Sequence, residues 1–134
     1  MIYLDSAAIV KLVRAEAETA ALVDWLNARP QSPRFTSALA EIEVPRALRR
    51  VAPEALHAVP AVMAHLYRLE IDATVRSVAA TLDDPLLRSL DAIHLATAIL
   101  VARRDGVIID AFVTYDQRLL GAAEKADLPT ASPK

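Results

Sequence analysis

Apolar positions along the chain follow two rhythms. Short β-branched or aromatic runs predict strands at Ile2–Leu4, Arg34–Thr36, Leu69–Ile71 and Ala111–Thr114. Longer stretches with helical spacing predict helices over Ala7–Arg14, Glu16–Ala28, Ala38–Val51, Pro53–Arg68, Thr74–Leu82, Ser89–Arg104 and Gln117–Lys125. Boundary residues agree with this division. Asp5-Ser6 and Ser37 stand where helix caps belong, and Asp83-Asp84-Pro85 and Asp105-Gly106 read as turns. Pro53 suits a first helical turn, while Pro60 predicts a kink within its helix. The Ser89–Arg104 segment is apolar nearly all round, which predicts a central, buried helix.

Strands that alternate with helices predict an α/β fold, a three-layer α/β/α sandwich around a short, mostly parallel sheet. The length of 134 residues predicts a single domain over 1–134. Ligands of such sheets bind outside the carboxyl ends of the strands, where Asp5 and Asp116 fall.

Composition narrows the functional classes. A net charge of −2 gives no molecule-wide basic field, so any nucleic-acid contact must be local. Roughly four arginines stand for each lysine, which suits planar contact with phosphate or carboxylate, although coding bias produces the same skew. Absence of cysteine excludes disulfides, thiolate metal sites and a cysteine nucleophile, and fits a cytoplasmic location. No basic leader precedes an apolar run, and no apolar stretch reaches membrane-spanning length. With 2 glycines and no glycine-rich phosphate loop, a dinucleotide-binding oxidoreductase is excluded as well.

Four carboxylates then stand out. At about 100° per residue, Leu39, Ala47 and Arg50 lie within about 40° of Glu43, inside the apolar arc of its helix, whereas Glu41 falls on the opposite side. Asp91 sits near the start of its helix with Leu95, Ala98 and Ala102 on its face. Taken singly, Asp5 and Asp91 read as helix caps, Asp116 as a turn residue, and Glu43 as either a buried acid with an arginine partner or a functional one. Convergence would change the reading, because several carboxylates in one pocket either protonate or hold a cation. Oxygen-only ligands select Mg²⁺ or Mn²⁺, and phosphodiester hydrolysis is the natural chemistry of such a site. Ser6 and Thr114 stand where they would orient an aspartate. His94 reads as a satisfied core histidine, with pairing to Asp91 or proton transfer as the alternative. Lys11, Arg14, Arg46, Arg49, Arg50 and Arg118 are candidate phosphate contacts.

The blocks Met1-Ile-Tyr-Leu-Asp5-Ser6-Ala7-Ala8, Thr36-Ser37-Ala38-Leu39 with Glu43-Val44 and Arg46-Ala47-Leu48, Leu90-Asp91-Ala92-Ile93-His94-Leu95-Ala96, and Val113-Thr114-Tyr115-Asp116 resemble, in order, those of PIN-domain ribonucleases. The length also suits the VapC-type toxins of bacterial toxin–antitoxin pairs. This resemblance implies an acidic pocket of Asp5, Glu43, Asp91 and Asp116. In it Asp5 and Asp91 would hold Mg²⁺ or Mn²⁺, and Glu43 and Asp116 would act through water. It further implies cleavage of structured RNA, a small cognate antitoxin of the VapB kind occupying the groove, and a homodimer formed through helices. Pro45, two residues after Glu43, departs from the pattern and leaves open whether the helix starts or kinks there, or is broken so that Glu43 is displaced.

Two rivals are weighed. A receiver-type phosphoacceptor domain also gathers acids at strand ends, but the strand-end lysine and adjacent acidic pair it needs are missing. A non-catalytic protein-binding module, or degenerate nuclease, would use the same acids only as helix caps.

Overall fold

A computed structural model describes residues 1–134. The helices are α1 (Ser6–Val13), α2 (Thr19–Asn27), α3 (Ala40–Val51), α4 (Val59–Met63), α5 (Ala73–Ala80), α6 (Ser89–Ala102) and α7 (Gln117–Lys125). The strands are β1 (Ile2–Leu4), β2 (Arg34–Ser37), β3 (Tyr67–Leu69), β4 (Ala111–Val113) and β5 (Thr130–Ala131). They form one sheet in the order β3-β2-β1-β4-β5, with every neighbouring pair parallel.

Alternation along each strand divides the interior into two layers. Ile2, Leu4, Ala111 and Val113 face one side, where they pack with residues of α1 to α4. Tyr3, Phe35 and Phe112 face the other, against Leu95, Ile99 and Leu119 of α6 and α7. Both faces of the central strands are covered, so β1 and β4 are apolar throughout, as a parallel sheet favours. No helix is long and apolar enough to cross a membrane.

The chain runs outward from β1 through β2 to β3, then returns to β4 on the other side of β1. The strand order therefore reverses between β1 and β4, the switch point at which open α/β sheets bind ligands. Asp5 follows β1 there, and Thr114 to Asp116 follow β4.

Several expectations are corrected. The stretch 53–68 is not one kinked helix: a 3-10 segment, Pro53–Ala58, precedes α4, and Pro60 falls in the first turn of α4, where its missing N–H removes no bond. Strand β3 lies two residues earlier than Leu69–Ile71. It is an edge strand joined to β2 by backbone pairing, with Tyr67 66% exposed, so burial leaves little signal in its sequence. Strand β5 is not predicted at all. Asp127, at φ 62, turns the chain out of α7, with Asp127 and Leu128 N–H groups donating to the Glu124 and Ala123 carbonyls. Glycine usually marks that turn, and here an aspartate takes its place. Helix α6 is central as expected, with His94 to Ile99 buried as an unbroken run.

Pro45 lies inside α3 without ending it. Val44 and Leu48 still pack against the α1 face, and their burial holds the helix together across the proline. Proline costs about 3 kcal/mol in a helix interior, partly offset by about 0.4–1 kcal/mol because it stiffens the unfolded chain. Pro45→Ala is therefore expected to stabilise the protein by about 2 kcal/mol, read as a higher urea midpoint with an unchanged slope. A midpoint that stays put or falls would mean that the helix gains nothing from a restored N–H at 45.

Candidate functional site

The four acids reach the switch point from four different elements. Asp5 is the N-cap of α1, Glu43 lies in the first turn of α3, Asp91 in the first turn of α6, and Asp116 is the N-cap of α7. All four line one cleft of about 600 Å³, together with Ser6, Arg46, Arg50, Arg88 and His94 and the apolar Ile42 and Leu90.

Asp5 is the deepest, at 4% exposure. Its Oδ1 accepts from the Ala8 N–H at 2.8 Å and its Oδ2 from the Thr114 hydroxyl at 2.5 Å. Burial raises its carboxyl above the ordinary value; these two bonds oppose the rise, and the charge of Asp91 adds to it. Thr114 Oγ1 also accepts from the Asp116 N–H at 3.1 Å, so one hydroxyl joins the ends of β1 and β4.

Asp91 is half-buried and also raised, by burial first and by the charge of Asp116 second, with Arg88 opposing. The Arg88 guanidinium lies between these two acids, Nε 3.5 Å from Asp91 Oδ2 and Nη2 3.8 Å from Asp116 Oδ2. Asp116 turns its Oδ1 to the Arg118 and Leu119 N–H groups at 2.9 and 3.1 Å.

Glu43 behaves differently. Burial pushes its carboxyl up, but hydrogen bonds from His94 and Ser6 outweigh this and hold it below the usual range. Its Oε1 accepts from Ser6 Oγ at 2.8 Å and lies 2.6 Å from His94 Nε2. The question raised by Pro45 is answered here: α3 continues through the proline, and Glu43 stays on the cleft. Glu41 points away and pairs with Arg68 at 3.1 Å, as its helical phase predicts.

The capping reading accounts for part of this arrangement. Asp5 and Asp116 do cap helices, but the N-cap of α6 is Arg88, not Asp91, and Glu43 caps nothing. Caps alone give no reason for all four acids to share a cleft.

His94 is 2% exposed and its hydrogen bonds are satisfied, as a core histidine should be. Its partner across the cleft is Glu43, not Asp91, whose carboxylate turns to Arg88. Of the basic candidates only Arg46 and Arg50 line the cleft. Lys11 is engaged elsewhere, 2.9 Å from Glu18 and 4.7 Å from the centre of the Tyr115 ring. Sequence reasoning missed Arg88, which looks like any surface arginine. It also missed the part of Tyr3 beyond packing, which only the fold reveals by bringing β1 against α6.

The donor set fits a hard divalent cation. Every acid is an oxygen ligand, and the burial and mutual repulsion that raise Asp5 and Asp91 are what a 2+ ion offsets. No three acidic or histidine side chains stand together as a finished ligand cage. Mg²⁺ needs none, since it keeps several waters and takes one or two carboxylates.

Comparison with known proteins bears on the family and the fold. The PIN domain family model matches residues 2–125. The chain is 53% identical to Ribonuclease VapC35 of Mycobacterium tuberculosis over 99% of its length and 97% of that protein's. It is 44% identical to Ribonuclease VapC46 of the same species, covering 98% of this chain and 97% of that one. Among solved structures, FitAcB from Neisseria gonorrhoeae aligns at a TM-score of 0.72 and 18% identity, over 99% and 98% of the two chains. FitAB bound to the IR36 DNA fragment aligns at 0.64 and 21%, over 98% and 94%. At these identities the structural likeness speaks for the fold.

Proposed function

Because the chain belongs to the PIN-domain family, and within it to the VapC-type ribonucleases, we propose that it is a divalent-cation-dependent endoribonuclease, the toxin of a toxin–antitoxin pair. The observation that carries this reading is the meeting of Asp5, Glu43, Asp91 and Asp116, from four elements, in one cleft at the sheet's switch point.

In this reading Asp5 and Asp91 hold Mg²⁺ or Mn²⁺, with Glu43 and Asp116 reaching it through water. When bound, the ion lowers the pKa of a coordinated water and stabilises charge on the phosphate oxygens. The chain's own residues do the rest. Thr114 and the Ala8 N–H fix both oxygens of Asp5, so this carboxylate is oriented before any ligand arrives. Glu43, kept ionised and held at Oε1 by its two donors, presents a fixed carboxylate that can orient the attacking water. Arg88 stands where it would meet the charge that builds on the cleaved phosphate, and Arg46 and Arg50 on the α3 rim suit the flanking phosphates of RNA.

The same cleft suits an antitoxin. Its acidic floor and exposed lips, Ile42 at 62% and Leu90 at 49%, match a peptide that carries a basic side chain between apolar ones. Pairing of two copies through helices completes the proposed assembly.

Purified protein incubated with total cellular RNA is expected to release discrete fragments when Mg²⁺ or Mn²⁺ is present and none in EDTA. The Asp5→Asn/Asp91→Asn double variant should be silent under both conditions. Equal cleavage with and without chelator would refute the cation requirement, and no cleavage by the folded protein would return the cleft to a binding role.

A further inference from the structure

We propose that Tyr3 and His94 are positioning residues for Glu43: Tyr3 donates to His94 Nδ1, which puts the imidazole proton on Nε2, and Nε2–H joins Ser6 in holding Glu43 Oε1 while Oε2 is left to the cleft. The Tyr3 hydroxyl lies 2.5 Å from His94 Nδ1. Tyr3 is wholly buried, its ring stacked on Phe112 at 4.8 Å and meeting Phe35 edge-on at 5.1 Å. The central strand therefore sets where the hydroxyl is.

Proton counting gives the direction of the chain of bonds. The buried phenol hydroxyl carries one proton to donate. A neutral imidazole that accepts at Nδ1 carries its N–H at Nε2, and Nε2 is the atom 2.6 Å from Glu43 Oε1. Ser6 Oγ, at 2.8 Å, supplies the second donor to that oxygen. Oε1 is thus tied by two donors from two elements, α1 and α6, while Oε2 makes no protein hydrogen bond. A long, jointed glutamate side chain is thereby kept in one orientation before it acts.

The activity part of this inference rests on the nuclease reading; the proton position does not, and the test separates them. Long-range ¹H–¹⁵N spectra of histidine-labelled native protein are expected to show the His94 proton on Nε2, with the Nδ1 resonance shifted in Tyr3→Phe. A proton found on Nδ1 would overturn the proposal. In cleavage assays His94→Asn, too short to reach Glu43, is expected to lose about 10–100-fold in kcat with KM within about twofold of native. His94→Gln, whose amide reaches about as far as imidazole Nε2, should recover to within about fivefold of native. Equal losses in the two variants, or losses that follow their thermal midpoints, would mark His94 as a packing residue and overturn the proposal. A native protein inactive on RNA would refute the nuclease reading and leave the spectrum to decide this one.

Discussion

Asp5→Asn is expected to reduce RNA cleavage by about a thousandfold while leaving a protein that folds as well as the native chain or better. The two effects come from different properties of one residue. Asparagine caps helices as well as aspartate, so Oδ1 can still accept from Ala8 and the change in capping should stay within about 1 kcal/mol. The Thr114 hydroxyl can rotate to accept from the new amide. What disappears is the charge. Burial raises the Asp5 carboxyl, so in the metal-free protein the folded chain holds this proton to higher pH than the unfolded chain. Stability from this group is full below the ordinary value of 3.8 and is lost as pH rises through the folded value. At neutral pH ionised Asp5 therefore weighs against folding, and Asn removes that burden. Thermal midpoints of native and variant protein in EDTA should converge as pH falls toward 4 and separate, with the variant higher, as pH rises. A variant that unfolds at lower temperature at every pH would mean that Asp5 serves the fold as a cap and that its loss of activity is indirect.

The second large effect concerns the cation. Adding Mn²⁺ or Mg²⁺ to chelator-treated protein at about 100 times the dissociation constant should stabilise it by about 2.7 kcal/mol, a rise on the order of 10 °C in the midpoint for a chain of this size. The shift should shrink as pH falls, because Asp5 and Asp91 keep their protons to higher pH than ordinary aspartates and must release them to bind a metal. It should vanish in Asp5→Asn/Asp91→Asn. Differential scanning fluorimetry across pH reads all three. An equal shift in the double variant would place the ion elsewhere, and no shift at saturating metal would remove the cation from the cleft.

How much of this could be read from the chain depended on where each signal resides. Strands β1 and β4 are buried on both faces and so appear as unbroken apolar runs, and β2 adds only Phe35 beside the buried Thr36 and Ser37, whereas the exposed edge strand β3 and the two-residue β5 are held by backbone pairing that no side chain announces. Glu43 was legible because helical phase put a carboxylate among apolar positions. Its stability there was not, because whether Pro45 ends α3 is decided by the packing of Val44 and Leu48. The reading of 53–68 as one helix failed where a proline can either kink a helix or begin one. Tyr3 and His94 are separated by 91 residues, and neither alone differs from an ordinary core aromatic or histidine. Arg88 becomes informative only once Asp91 and Asp116 are known to flank it.

During synthesis Asp5 leaves the ribosome 109 residues ahead of its partner Thr114. Until β4 emerges, β1 lacks one neighbour in the sheet, and the backbone bond from Asp5 to Val113 and the Thr114 hydroxyl bond do not exist. Asp116 and the β5 segment, whose Ser132 hydroxyl donates to the Thr114 carbonyl, arrive later still. From residue 91 to residue 116 a growing chain therefore carries three of the four acids without the pocket that joins them. For a protein proposed to destroy RNA, this delays assembly of the cleft until β4 and Asp116 have emerged, and fragments that stop before them lack it altogether.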